Sequence, residues 1–404
     1  MQAINMSSTH IPIRFDYSAL DSVRAGSSVN QALPELIKQR QVSSILIVAS
    51  ASLAKQCEHF SELTAAILAS DQTLRVEVFC GIRAHTPRQD VLEGLALARE
   101  IEADLLVSIG GGSVIDACKV IQLAMDQKVR TSAELLEYAQ SSRGRGSKAG
   151  QNSYFAKPSA IRQIAVPTTL SGAEFSNNAG VLDIEHSVKE GYKAPQLCPS
   201  AIIYDPDLAL LTPQWLWFST AIRSLDHAVE GYCSKDCHPY VGGQFLAGIT
   251  LLASSLPDAY ANQVNTAARL SNQTGVWLAC CGLGTISHGA SHGIGYILGS
   301  LCGIPHGITS CLMLPAVLEW NAVINGDRQA DIAIAMGNAD VSAHVAVKKL
   351  IGRLGLPTSL QAAGVTQNQL QTIAELAVVH PVVKNNPRSI TCADHVMEIL
   401  QLAW

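Results

Sequence analysis

Charge is what this 404-residue chain has least of: Asp, Glu, Lys and Arg together make up 15%. Its 28 basic residues are outnumbered by 33 acidic ones, for a net charge of −5. With no basic field to draw in a phosphate backbone, nucleic acid is not an expected partner. A long unbroken apolar run is missing too. The most suggestive stretch, residues 275–286 (GVWLACCGLGTI), carries three glycines, is too short to cross a bilayer and reads as a buried core helix. Neither a membrane span nor export is expected, since the first fifteen residues have no cationic start and no apolar core. The eleven cysteines form no Cys-x-x-Cys pair, and their odd number suits reduced thiols in a cytoplasmic protein.

What is present is apolar bulk. Hydrophobic residues make up 48% of the chain, enough to fill two cores, and the length suggests two domains. The first half alternates short β-rich runs (44–49, 76–80, 104–109, 161–166, 201–205) with helical stretches, the rhythm of a parallel nucleotide-binding sheet. One helix spans 53–68. Another is predicted to open at Thr86-Pro87-Arg88-Gln89, with Thr86 as the capping hydroxyl. Residues 140–160, rich in Ser, Gly and basic residues, read as a surface loop. Beyond Pro213 the pattern is helical throughout. The expectation is an α/β domain over 1–206 and an all-α domain over 207–404, without internal repeats.

Two segments are placed for chemistry. Gly110-Gly111-Gly112-Ser113-Val114-Ile115-Asp116 follows a strand and enters a helix, where free N–H groups favour an anion. It departs from G-x-G-x-x-G, so the spacing alone gives a phosphate-binding turn or a plain strand–helix turn. The run Val166 to Glu174 (VPTTLSGAE) brings small hydroxyl residues to a strand end, to bond a cofactor or to cap a helix. In the helical half, His288, His292 and Tyr296 recur at i, i+4 and i+8 and are expected on one helix face. His227 and His306 join them as candidates for a polar site.

In order, GGGSVID, VPTTLSGAE, IIYDPDL, LDHAVEGY, SHGIGYILG, IPHG and NNPRSIT resemble the iron-containing (group III) alcohol dehydrogenase family, closest to its maleylacetate reductase-like branch. The resemblance runs from about Ser44 to the C-terminus. It implies a Rossmann-like NAD(P) domain, a helical catalytic domain (a dehydroquinate synthase-like architecture), hydride transfer in the cleft between them, and a homodimer. By resemblance, Gly110, Gly111, Gly112, Ser113 and Asp116 hold the pyrophosphate. Thr168, Thr169 and Ser171 form the second cofactor segment, and Lys189 lies near the cofactor ribose. His227, His292 and His306 match the family's metal-ligand histidines.

Three departures matter. Arg223 stands where the family has a fourth metal ligand, an Asp. Asp226 cannot replace it, because it points about 100° away on a helix. A fixed cation beside a dication is costly in a low-dielectric cleft, so a metal-free site is expected. Tyr296 replaces a His near the nicotinamide, and Gly293 replaces a Lys of the maleylacetate reductases. At the end of the first strand, Ser50 replaces an acidic residue of NAD-preferring relatives, and Lys55 follows, so NADPH should be tolerated or preferred.

The expected activity is NAD(P)H-dependent reduction of a small ketone or aldehyde, or oxidation of the alcohol. Arg223 would stabilise the alkoxide beside His227, and His292, Tyr296 or His306 would supply the proton. The alternative for Arg223 is a structural salt bridge to Asp226 or Glu230. The rivals are a metal-dependent dehydrogenase using the three histidines, a non-redox lyase, cyclase or isomerase, and a ligand-binding relative without activity.

Overall fold

In the computed structural model, which describes residues 13, 15–53, 57–141, 144–149, 159–186 and 188–404, the two periodicities become two layered halves. Lys55 and residues 142–143 and 150–158 of the expected surface loop lie outside the described residues.

The N-terminal half carries ten strands among the described residues. These are β1 (Ser22–Ala25), β2 (Ser44–Ser50), β3 (Arg75–Ile82), β4 (Leu105–Gly110), β5 (Gln140–Ser141), β6 (Gly144–Arg145), β7 (Arg162–Pro167), β8 (Asn178–Asp183), β9 (Val188–Lys193) and β10 (Ala201–Tyr204). Six form a parallel sheet in the order β1-β10-β7-β4-β2-β3. Its central strands are continuous apolar runs because both faces are covered, by helices α1 (Val29–Lys38), α2 (Cys57–Ser70), α3 (Arg88–Glu100) and α4 (Gly112–Asp126). The chain leaves β2 toward β3 but leaves β4 toward β7, so the sheet has a switch point between β2 and β4, where ligands bind in such folds. Ser50 ends one of these strands and Gly110 the other.

A second, antiparallel sheet, β6-β5-β9-β8, was not foreseen. It begins inside the expected surface loop, after the short helix α5 (Ser132–Leu136), and β8 packs on α4. The pairing of β8 with β9 brings Lys189 opposite Leu182 and lays its side chain across Gly180, where a Cβ would meet Lys189 Cε at 2.4 Å.

The C-terminal half is helical, as expected: α6 (Gln214–Cys233), α7 (Pro239–Ala261), α8 (Thr266–Ala279), α9 (Ala290–Cys302), α10 (His306–Ala335), α11 (Ala343–Arg353), α12 (Leu370–Val378) and α13 (Ala393–Leu402). The centre is α6. It packs on α7, α8, α9 and α10 and shares a core with Ile115, Ala165 and Tyr204 of the sheet half, so its polar residues Arg223, Asp226, His227 and Glu230 are buried with its apolar ones. By length and composition α10 could cross a membrane, yet 72% of its apolar window is buried inside the protein.

Three local expectations are corrected. Thr86 does not cap α3. Pro87 is the N-cap, while Thr86 takes a φ of +56° and donates its hydroxyl to Ser113 O at 3.0 Å. Residues 275–286 are not one core helix, because α8 ends at Ala279 and the next residues turn through Gly282 and Gly284. His288 precedes α9 instead of sharing its face with His292 and Tyr296.

Candidate active site

The first part of the site is made of backbone. At the end of β4 the chain turns through Gly110, whose φ of +154° is strained for any residue with a Cβ. A Cβ on Gly110 would meet Val114 Cγ2 at 2.7 Å, one on Gly111 would meet Thr169 Cγ2 at 2.9 Å, and one on Gly112 would lie 3.1 Å from Ser171 Oγ. The turn and the hydroxyl segment after β7 therefore form two walls of one narrow cradle. Gly111 caps α4 without a side-chain bond, leaving first-turn N–H groups for an anion. Backbone donors between closely set walls, with Thr168, Thr169 and Ser171 alongside, are features that could hold a dinucleotide's pyrophosphate.

Not every expected cofactor residue faces that cradle. Asp116 accepts from Gly180 N at 2.9 Å and pairs with buried Lys119 at 3.2 Å, so its carboxylate anchors the second sheet. Ser113 Oγ accepts from His85 N at 3.0 Å, which holds the left-handed His85–Thr86 pair over the first turn of α4. Ser50 lies beside Gly110 and bonds Ser52 Oγ at 3.0 Å.

The hydroxyl segment is pinned from the other half of the molecule. Thr220 Oγ1 on α6 accepts from Leu170 N at 3.0 Å, and Ser224 donates to Leu170 O at 2.5 Å. The same helix carries Arg223 and His227, so one rigid element sets the cradle and the polar groups beyond it.

Those polar groups form two sets. In the buried set, His292 Nδ1 lies 2.8 Å from Glu230 Oε2, and its Nε2 lies 2.8 Å from His227 Nδ1. His288 Nε2 is 3.1 Å from the same His227 nitrogen, and its ring stacks on His292 with centroids 4.2 Å apart. Glu230 also accepts from the backbone N–H groups of Gly289, Ser291 and His292, clamping the N-terminus of α9. Asp226 accepts from Ser291 and Ser310 at 2.8 and 2.7 Å. Burial raises both carboxyl groups above their ordinary range, and Asp226 pushes Glu230 further. Burial also holds His227 and His292 well below theirs and pushes His288 down to about 3.

In the set facing the cleft, Lys189 Nζ lies 3.2 Å from His306 Nε2. His306 contacts Tyr296 and His85 edge to face, at centroid distances of 5.8 and 6.4 Å. Arg223 lies over the Tyr296 ring at 5.4 Å and donates Nη1 to Ser310 Oγ at 3.1 Å. No carboxylate among the described residues lies within ion-pair distance of Arg223, so the alternative of a direct bridge to Asp226 or Glu230 is not what the structure shows.

The histidines gathered by the fold are thus His227, His288 and His292, whose ligand atoms lie within 4.8 Å of one another, and not His227, His292 and His306. His306 joins Lys189 instead. The His292 and His227 ring nitrogens, 2.8 Å apart, are within hydrogen-bond distance of each other, closer than the about 3.3 Å between ligands around tetrahedral zinc. Fully buried His292 has both ring nitrogens engaged, by Glu230 and by His227. Sequence reasoning missed Glu230 and Ser310 in these roles, and His85 and His380, whose ring lies 5.6 Å from Tyr296. Gly293 has a steric reason: a Cβ there would meet Val383 Cγ2 at 2.4 Å.

Both halves of the chain match known proteins. The family model described as iron-containing alcohol dehydrogenase matches residues 21–206, and that of the Fe-containing alcohol dehydrogenase family, C-terminal, matches 218–404. The chain is 33% identical over 357 residues to dehydrogenase FUM7 of Gibberella moniliformis, covering 80% of this chain and 82% of that one. It is 30% identical to the maleylacetate reductase of Burkholderia cepacia, covering 81% and 82%. The sulfoacetaldehyde reductase of Bifidobacterium kashiwanohense, solved with NAD+, shares the fold with a TM-score of 0.82 over 96% of this chain and 98% of that one, at 23% identity.

Proposed function

The chain belongs to the iron-containing alcohol dehydrogenase family, and on that premise we propose that it reduces a small ketone or aldehyde with NAD(P)H, or oxidises the alcohol, without a bound metal ion. It is an enzyme of the alcohol dehydrogenase and reductase class. The observation that carries the metal-free reading is Arg223, buried one helical turn before His227 and lying over the Tyr296 ring. A guanidinium there takes over the positive charge that a developing alkoxide needs, and it opposes a dication at the neighbouring nitrogens.

When bound, the dihydronicotinamide supplies the hydride to the carbonyl carbon. Arg223 holds the carbonyl oxygen through fixed N–H donors. Tyr296 or His306 gives the proton to that oxygen, and Lys189 recharges His306 across their 3.2 Å contact. Ser50, in place of a carboxylate, leaves room for a 2′-phosphate, so NADPH serves at least as well as NADH. A cytoplasmic homodimer that needs neither nucleic acid nor membrane completes the reading.

The clustering of His227, His288 and His292 favours a second reading, a metal held by nitrogen donors. Metal analysis of the purified protein decides between them. Substoichiometric iron and zinc, with NAD(P)H oxidation unaffected by chelator, is the expected result. Activity lost to chelator and restored by iron or zinc sinks the metal-free proposal.

A further inference from the structure

Building on the reductase reading above, we infer that the substrate carries a carboxylate next to its reacting carbonyl, and that Arg223 holds this carboxylate with the help of Lys189. Two cations flank the Tyr296–His306 pair, and neither has a carboxylate within ion-pair distance among the described residues. Every nearby acid is committed elsewhere. Asp226 receives Ser291 and Ser310, Glu230 clamps α9, and Asp116 holds Lys119 and Gly180. An anion between the two cations is attracted by both.

The form of the cation selects the anion. Arg223 is oriented by one bond, from Nη1 to Ser310 Oγ, which in turn donates to Asp226. The rest of its planar fork has no partner among the described residues and is not sealed from the cleft. Such a fork matches a planar carboxylate with two parallel N–H bonds. The proton-donating groups follow within a short span: Tyr296 lies 5.4 Å from the guanidinium, His306 5.8 Å from Tyr296, and Lys189 3.2 Å from His306. With Tyr296 5.4 Å from the guanidinium, a carboxylate on Arg223 and a carbonyl oxygen at Tyr296 suit a compound in which the two groups are neighbours, as in a 2-oxo acid. The fork then serves the acid and the alkoxide together. The hydride adds to C2, the proton adds to its oxygen, and a 2-hydroxy acid leaves.

Oxamate, which carries a carboxylate beside a carbonyl, and its neutral counterpart oxamide are the probes, titrated by calorimetry into the protein saturated with NADP+. Oxamate should bind at least about 30-fold more tightly than oxamide, and Arg223→Gln should remove that advantage while Arg223→Lys restores part of it. If Arg223→Gln does not fold, as judged by its thermal melt, Lys189→Gln provides the second measure, with an expected partial loss of oxamate affinity only. Equal binding of oxamate and oxamide, or oxamate affinity intact in these variants, overturns the inference. So does competition by phosphate or ethanesulfonate as strong as that by oxamate, which marks a non-selective anion site. NAD(P)H oxidation, measured separately with pyruvate and with neutral carbonyl compounds, keeps the two readings apart. Turnover of neutral carbonyls without selective oxamate binding leaves the reductase and removes the carboxylate. Arginine-dependent oxamate binding without any NAD(P)H oxidation does the reverse.

Discussion

The cofactor cradle and the polar interior behind it are built on opposite plans. In the cradle the chain keeps side chains out: three consecutive glycines approach Val114, Thr169 and Ser171 so closely that any Cβ would collide or crowd. The donors it offers are backbone N–H groups at the start of one helix. In the interior, side chains bind side chains from distant parts of the sequence, with Glu230 on α6 gripping His292 on α9 and Asp226 taking hydroxyls from Ser291 and Ser310. A site made of backbone is local and tolerates almost no added atom. A site made of side chains depends on which helices touch, and its cost lies in unsatisfied polar groups when one partner is lost.

The comparison breaks most visibly at Gly111. Replacing it with Val pushes on Thr169 and should lower NAD(P)H affinity by about 100-fold, roughly 2.7 kcal/mol, with the far-UV circular dichroism unchanged. Unaltered affinity in a fluorescence titration would remove the cradle from cofactor binding. On the other side, Glu230→Gln disrupts acceptors for the three N–H groups opening α9. It should cost about 2 kcal/mol of stability, seen as a thermal midpoint lower by several degrees, with cofactor affinity largely kept.

Glu174 sharpens the contrast, because it lies just past the cradle yet behaves as interior. Its carboxyl accepts from Tyr204 at 2.6 Å, and burial pushes it up to about 7 from an ordinary 4.5. The folded state therefore holds this proton more tightly than the unfolded one. Stability from this group falls as pH rises from about 4.5 through about 7 and levels off above that, by about 3 kcal/mol in all. Urea denaturation from pH 4.5 to 8 should show a shallower fall for Glu174→Gln than for the parent. The smallest effect is at the rim of the cradle. Ser50→Asp should shift the NADPH-to-NADH ratio of kcat/KM about tenfold toward NADH, and an unchanged ratio would place the 2′ position elsewhere.

Much of the fold was legible because its signals are local. The parallel strands are runs buried on both faces, the glycine turn marks where one of them enters a helix, and the loss of strand pattern after Pro213 marks the helical half. The second sheet was not legible. Its strands are short, and β8 alternates buried and accessible residues against α4 instead of forming an apolar run. Lys189 could therefore be named by resemblance but not placed over the cleft. The i, i+4 spacing of His288 and His292 was misleading in another way. His288 lies outside α9, and its ring reaches His292 through the bend before Gly289.

Composition, periodicity and the order of the motifs were enough to determine two differently built halves and a glycine-lined turn at the end of a strand. These follow from short-range rules: which residues tolerate a positive φ, which alternate, and which carry charge. Tertiary structure alone decided that His306 pairs with Lys189, that His288 completes the histidine cluster, and that Arg223 is oriented by Ser310 without a carboxylate within ion-pair reach among the described residues. The reason is physical. Helices α6, α9 and α10 meet through side chains separated by 60 residues or more in the chain, and no local preference encodes which of their faces come together.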